Sequence, residues 1–345
     1  MESLLWKEIH EQPEVIRQLI AAEHGHVTRL GRDLRQKACR FVYLAARGTS
    51  DNAARYGQYL FGGINRLPVA LTAPSLFTTY RTPPRLEGAL VIGISQSGQS
   101  PDIVEVLEEA RRQGAPTVAI TNDDHSPLAQ AAEHVLLLSA GREQSVAATK
   151  TYTSQLAVLA MLSLALEDQL KEDSLTPVIP WMEAALQVEP QAQAAAERIA
   201  DSSRAVVLGR GYNYCTAHEV ALKIKELSGV EAEPYSAADF KHGPIAMAEG
   251  GLPVILVSVG VTFRQEMVEL ADIVRTQGAR VLPMADELPG IQPADSWIPI
   301  PAGEPEWLTP IAAIIPGQLL AFHLTRARGS DPDRPRHIRK VTLTH

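Results

Sequence analysis

The chain has 345 residues, enough for two ordinary domains or one large α/β unit, and 45% hydrophobic against 21% charged residues excludes a disordered chain. A formal net charge of −8 and the lack of any Lys/Arg-rich block leave no electrostatic footprint for nucleic acid or an anionic membrane, so a small ligand is expected. Two cysteines, Cys39 and Cys215, are too few for a disulfide framework and lack the spacing of a thiolate metal site.

The chain opens with MESLLWKEIHEQPEVIRQLI, acidic and amphipathic, which reads as a helix over 1–28 and not as a signal peptide. From there strands alternate with helices: CRFVYLAARGTS, then DNAARYGQYLFGG; GALVIGISQSG, then SPDIVEVLEEARRQG; then the strands APTVAITND and AAEHVLLLSAG. That order predicts a parallel sheet covered by helices, an α/β fold. The apolar runs at 156–166 and 310–322 are too short to span a bilayer and read as buried helices, so the protein is expected to be cytoplasmic.

The pattern then repeats. VYLAARGTS resembles VVLGRGYN with Arg47 opposite Arg210, an offset of 163, and ARRQGAPTV resembles VRTQGARVL with Gly114 opposite Gly278, an offset of 164. Two matches at almost one spacing predict a duplicated unit. The polar stretch near 167–197 is expected to be a helical linker between the copies.

ISQSGQS follows the strand ALVIG, and a loop leaving the C-terminal end of a parallel strand lies where open α/β sheets bind ligands. Ser95, Gln96, Ser97 and Ser100 supply donors, Gly98 permits the turn, and Thr49 and Ser50 add two more from the neighbouring strand end. Without a Walker lysine or a GxGxxG pattern, the loop is either a cradle for a small phosphate ester or a plain helix cap. The second copy has VSVGVTF at the same place, without most of those hydroxyls, and the asymmetry favours a site.

In TAHEVALKIKEL, Ala217, Val220, Ala221, Ile224 and Leu227 form one helical face, while Glu219, Lys223 and Glu226 share another. Those three are either a solvated Glu–Lys stripe or a charged face turned to a cleft at the strand end. His242 stands in the FKHGP turn, and Lys340 follows Arg339 in a basic tail that is ordinarily solvated. His24 and His26 are spaced i, i+2 on a predicted helix and do not share a face, so no metal is expected there or elsewhere.

RGTSDN, ISQSGQSPD, VAATKTYTSQL, LGRG, ALKIKEL, FKHGP and DRPRHIRKVT, in this order from about residue 5 to the end, resemble the sugar isomerase (SIS) family. Within it the chain is similar to the isomerase half of glucosamine-6-phosphate synthases and to stand-alone glucosamine-6-phosphate deaminases. The resemblance implies two tandem SIS subdomains, each a flavodoxin-like three-layer parallel sheet: an N-terminal helix at 1–28, a phosphosugar-binding first subdomain at 29–166, a linker at 167–197, a second subdomain at 198–330, and a tail at 331–345 closing on the active site. It further implies that the serine-rich loop binds a sugar phosphate and that Glu226 moves a proton between sugar carbons 1 and 2. Lys223 and Glu219 bind or orient the open-chain sugar, Ala148 lies at the sugar, and His242 opens the ring from the partner subunit of a homodimer. Lys340 is a lid residue able to form a Schiff base. No cofactor is implied.

Two departures separate this chain from the synthases: Arg47 stands where they have cysteine, and Ala148 where they have serine, both as in the deaminases. No glutaminase segment precedes the first unit, so deamination of glucosamine 6-phosphate to fructose 6-phosphate and ammonia is the expected direction. The alternatives are another amino-sugar or fructosamine phosphate, an ammonia-fed synthase reaction, and a phosphosugar sensor without turnover.

Overall fold

The structure, a computed structural model, describes residues 3–287, 289, 296–335, 338 and 340. In chain order it has α1 (Leu4–His10), α2 (Gln12–Gln36), β1 (Phe41–Ala45), α3 (Thr49–Gly63), β2 (Val69–Leu71), α4 (Ser75–Thr78), β3 (Ala89–Ile94), α5 (Pro101–Arg112), β4 (Thr117–Thr121), α6 (Pro127–Ala131), β5 (His134–Leu137) and α7 (Lys150–Leu166). Then follow α8 (Val178–Leu186), α9 (Glu189–Ile199), β6 (Arg204–Gly209), α10 (Tyr214–Ser228), β7 (Glu231–Ser236), α11 (Ala237–Lys241), β8 (Pro253–Ser258), α12 (Arg264–Thr276), β9 (Arg280–Ala285), β10 (Ile298–Pro299) and α13 (Thr309–Ala327). The helix expected over 1–28 is two helices, broken ahead of Pro13, and α2 runs on to Gln36. The stretch expected as a linker carries α8 and most of α9.

The strands form two parallel five-stranded sheets, ordered β2-β1-β3-β4-β5 and β7-β6-β8-β9-β10. The two orders are the same, and so is the register at their centres: Leu44 pairs with Ile92 in the first, Leu208 with Leu256 in the second. The duplication read from the arginine and glycine offsets is thus a duplication of topology.

The chain divides into two compact units that do not follow the sequence in one piece. The first-copy unit comprises Glu14–Glu143, Lys150–Thr176 and Arg339–His345; the second-copy unit comprises Met1–Pro13, Gln144–Thr149 and Pro177–Ile338. In the first-copy unit every residue of β3 and β4 is buried, as helices on both faces require. Its core joins Tyr43, Val91 and Ala119 to the apolar stripe of α5 at Ile103, Val106, Leu107 and Ala110. The second-copy core is built alike, from Val206, Leu208, Val254 and Leu256 against Met267, Leu270 and Val274 of α12.

The two long apolar runs are core helices. α7 is buried from Lys150 through Ala165, and α13 from Thr309 through Thr325. By length and composition α13 would suffice to cross a membrane, but that stretch is wholly covered within the fold. α13 packs on α10 through Gly317, where an added Cβ would collide with Cγ2 of Val220. Gly317→Ala is expected to overpack this contact and lower stability by about 1–3 kcal/mol, measured by urea denaturation.

Candidate functional site

In a parallel sheet ordered β2-β1-β3-β4-β5, the chain leaves β1 and β3 in opposite directions, and the crevice between their C-terminal ends is the switch point where such sheets bind ligands. Both predicted loops are there. Residues 46–48 lead from β1 into α3, and Ser95–Ser100 lead from β3 into α5, so two helix N-termini meet the crevice.

The plain-cap reading of the serines does not hold. Ser100 occupies the N-cap of α5 with extended backbone, yet its side chain makes no capping bond. Ser95 Oγ instead accepts from Gly98 N–H at 3.2 Å and lies 3.5 Å from Ser100 Oγ, and Ser97 Oγ accepts from Gln99 N–H at 3.3 Å. The loop is folded on its own hydroxyls, with Gln96, Ser97 and Ser100 partly exposed. Gly98 has φ +62°, and a Cβ there would collide with the Ser126 side chain. Thr49 opens α3, and buried Ser50 accepts from Gln155 Nε2 of α7 at 2.9 Å.

The second copy has the same switch point between β6 and β8, and there half-buried Phe263 lies against the equivalent turn. Its ring lies 5.0 Å from the Arg210 guanidinium, and a Cβ on Gly211 would stand 2.7 Å from it. The sequence asymmetry therefore corresponds to a loop folded on its own hydroxyls in one copy and an aromatic ring against the turn and its arginine in the other.

On α10, in the second-copy unit, the solvated-stripe reading fails. Glu219 and Lys223 side chains are 0% and 1% exposed, and Glu226 is 26% exposed. Lys223 Nζ lies 3.4 Å from Glu219 Oε1 and donates to Glu226 Oε2. Burial by itself would push the Lys223 ammonium down, but the two carboxylates outweigh it and hold the lysine above its ordinary range. Glu226, the outermost of the three, lines a cleft of about 530 Å³ together with Lys225, Ser228, Arg328 and Arg334. His242 terminates α11, its backbone N–H bonded to Asp239 O at 3.0 Å and its side chain exposed. The turn is tethered through Lys241, whose Nζ is 3.5 Å from Glu266, the carboxylate that also pairs with Arg210.

Lys340 is not a free tail lysine. Its Nζ lies 3.0 Å from Glu143 Oε2, a carboxylate fully buried on the first-copy unit that also accepts from Thr151 Oγ1 at 2.7 Å. Arg336, His337, Arg339 and 341–345 of the predicted tail lie outside the described residues. Ala148 is half-buried in the 144–149 segment, which Glu8 of α1 grips by accepting from Gln144 N–H at 2.5 Å and Ser145 N–H at 3.0 Å. The predicted residues thus fall in two sets: Thr49, Ser50, Ser95, Gln96, Ser97, Ser100 and Lys340 on the first-copy unit, and Ala148, Glu219, Lys223, Glu226 and His242 on the second. Sequence reasoning missed Glu8, Glu143 and Gln155. Gln155 alone had a signal, standing in the quoted VAATKTYTSQL. Among the described residues no group of three or more His, Cys, Asp or Glu is placed to hold a metal ion.

Residues 37–165 and 198–327 each match the SIS domain. The chain belongs to the SIS family. Over 347 residues it is 36% identical to the isomerizing glutamine–fructose-6-phosphate aminotransferase of Pyrococcus horikoshii, covering 98% of this chain and 57% of that protein. This SIS chain therefore spans little more than half the length of such relatives. Among solved structures, the C-terminal domain of glucosamine-fructose-6-phosphate aminotransferase from Francisella tularensis is 26% identical with a TM-score of 0.87, covering 97% of this chain and 99% of that one. A candidate phosphosugar isomerase from Silicibacter pomeroyi DSS-3 is 32% identical with a TM-score of 0.86, covering 96% and 100%.

Two outcomes follow for this SIS fold. Gly98→Ala is expected to cost at least about 1 kcal/mol, through its positive φ and the clash with Ser126, and to weaken phosphate-ester binding measured by calorimetry. Lys223→Ala removes the buried cation between Glu219 and Glu226, with an expected loss of about 3–5 kcal/mol in urea denaturation that Glu219→Gln partly restores. Because Lys223 titrates above its unfolded value, the stability it contributes is complete below about pH 10.4 and falls as pH rises further; Lys223→Ala removes that alkaline dependence.

Proposed function

We propose that this protein is a phosphosugar isomerase that releases ammonia, converting glucosamine 6-phosphate and water to fructose 6-phosphate and ammonia. The observation that carries the reading is the α10 trio: a buried ammonium between two carboxylates, the outer of which, Glu226, reaches a cleft. A carbon acid needs a fixed carboxylate base beside a cation that stabilises the developing enolate, and this trio supplies both.

In this mechanism the serine loop of the first copy holds the phosphate. His242 passes a proton from the anomeric hydroxyl to the ring oxygen, giving the open-chain aldehyde. Glu226 removes the proton from C2, leaving an amino-enol whose C1 oxygen carries the growing charge. Lys223 stays protonated, so its role is to donate to that oxygen and not to act as a base or amine nucleophile. Glu226 returns the proton to C1, giving the C2 imine; water adds at C2 and ammonia leaves. Glu219 balances the Lys223 charge from the buried side. Lys340 acts as a lid residue, and a Schiff base on its amine requires that it first leave Glu143 and lose its proton. The exposed side chain of His242 supports its donation across a homodimer, each site using His242 of the partner subunit.

The names of the relatives favour a second reading, the reverse reaction in which ammonia adds to fructose 6-phosphate. The same residues serve both directions. Arg47 and Ala148, the two deaminase-like positions, support deamination.

The test is release of ammonia and fructose 6-phosphate from glucosamine 6-phosphate, beside fructose 6-phosphate with ammonium. Stoichiometric release, falling about 10²-fold or more in Glu226→Gln, is expected. Equal rates in wild type and Glu226→Gln overturn the mechanism, and turnover only with fructose 6-phosphate and ammonium reverses the direction.

A further inference from the structure

Each copy carries an arginine in the turn after its first strand, and each arginine reaches a carboxylate in the first turn of the helix after the third strand. Arg47 Nε donates to Asp102 Oδ2 at 2.7 Å, and Arg210 Nε to Glu266 Oε2 at 3.3 Å. The arginines are related by the offset of 163, and Asp102 and Glu266 by that of 164. The pair is therefore a tie common to both copies, joining turn to helix across the switch point.

The copies differ in what remains of each guanidinium. Arg210 also donates from Nη1 to Ser236 Oγ at 3.3 Å and stacks on Phe263, with its side chain 31% exposed. Arg47 is 52% exposed, and among the described residues its guanidinium bonds only through Nε. Among the described residues the Nη edge is unbonded at Arg47, beside the hydroxyl-rich loop, whereas at Arg210 it is bonded to Ser236 and its face is stacked on Phe263. Asp102 is 1% exposed, and its Oδ1 has no hydrogen-bond partner among the described residues. A buried carboxylate two residues past Ser100 would repel an anion at the α5 N-terminus, and Arg47 is the cation placed to cancel it.

We propose that Arg47 is a phosphate ligand. Asp102 fixes the guanidinium plane through Nε, and the two Nη groups meet two oxygens of the phosphate in a fork, adding charge to the neutral donors of the serine loop. This rests on the reading that the loop holds the phosphate of a sugar phosphate.

The experiment is calorimetric titration of the full chain with fructose 6-phosphate and with inorganic phosphate, for wild type, Arg47→Gln and Arg210→Gln, with a thermal melt of each. Arg47→Gln is expected to weaken both ligands about tenfold or more, while Arg210→Gln, which breaks the equivalent tie, leaves both affinities within about twofold. Wild-type affinity for both ligands in Arg47→Gln overturns the proposal and leaves the arginine a tie alone. If Arg47→Gln melts below the working temperature, Arg47→Lys decides: it keeps the charge but loses the fork, and undiminished affinity overturns the proposal. Failure of wild type to bind either ligand overturns the phosphosugar reading itself, and this inference with it.

Discussion

Every described strand pairs in parallel with its neighbours, and a parallel sheet must be covered on both faces. Covered faces hold apolar side chains, so polar chemistry is pushed to the strand ends. The C-terminal ends of β1 and β3 are where the chain diverges, and there α3 and α5 begin, with the positive ends of their helix dipoles at the switch point. An anion site is the expected use of such a place. What distinguishes the two copies is a change of loop residues over an unchanged scaffold: serines bond within the first loop, and in the second Phe263 lies against the turn and its arginine.

The buried charges of α10 sit in a different electrostatic regime. A Glu–Lys pair on an exposed helix contributes a few tenths of a kcal/mol, whereas removing one member of a buried set costs several. Glu219 and Lys223 are sealed, and Glu226 keeps an opening. The set is thus rigid at its inner end and reachable at its outer end, which suits a group that must hold position while exchanging a proton.

The alternation of strand and helix was legible because apolar runs such as ALVIGI and the periodic stripe of α5 carry their own burial signal. The duplication was legible because Arg47 and Arg210, and Gly114 and Gly278, occupy backbone turns that topology repeats. The burial of Glu219 and Lys223 was not: one face of α10 reads as apolar and the other as charged, and only the contacts of α13, β6, β7 and β8 around that helix show it enclosed. Glu8 and Glu143 were invisible for another reason. Each is a single carboxylate bonded to residues outside its own element, Glu8 at 144–145 and Glu143 at Thr151 and Lys340, so no helical or strand period marks it. The break ahead of Pro13 lies inside an amphipathic pattern that runs through it, so periodicity alone does not mark it.

The interleaving of the two units bears on how the chain is made. Residues 3–13 belong to the second-copy unit, most of which lies beyond residue 176, and Lys340 belongs to the first-copy unit, far from the rest of it in sequence. As the chain leaves the ribosome, α1 must therefore wait through the first copy before its own unit exists, and Glu8 cannot find the 144–149 segment until some 130 residues have followed it. A gene duplication normally yields two modules separable by a single cut. Here segments such as α1 and 144–149 lie with the other module, so no single cut releases either one whole.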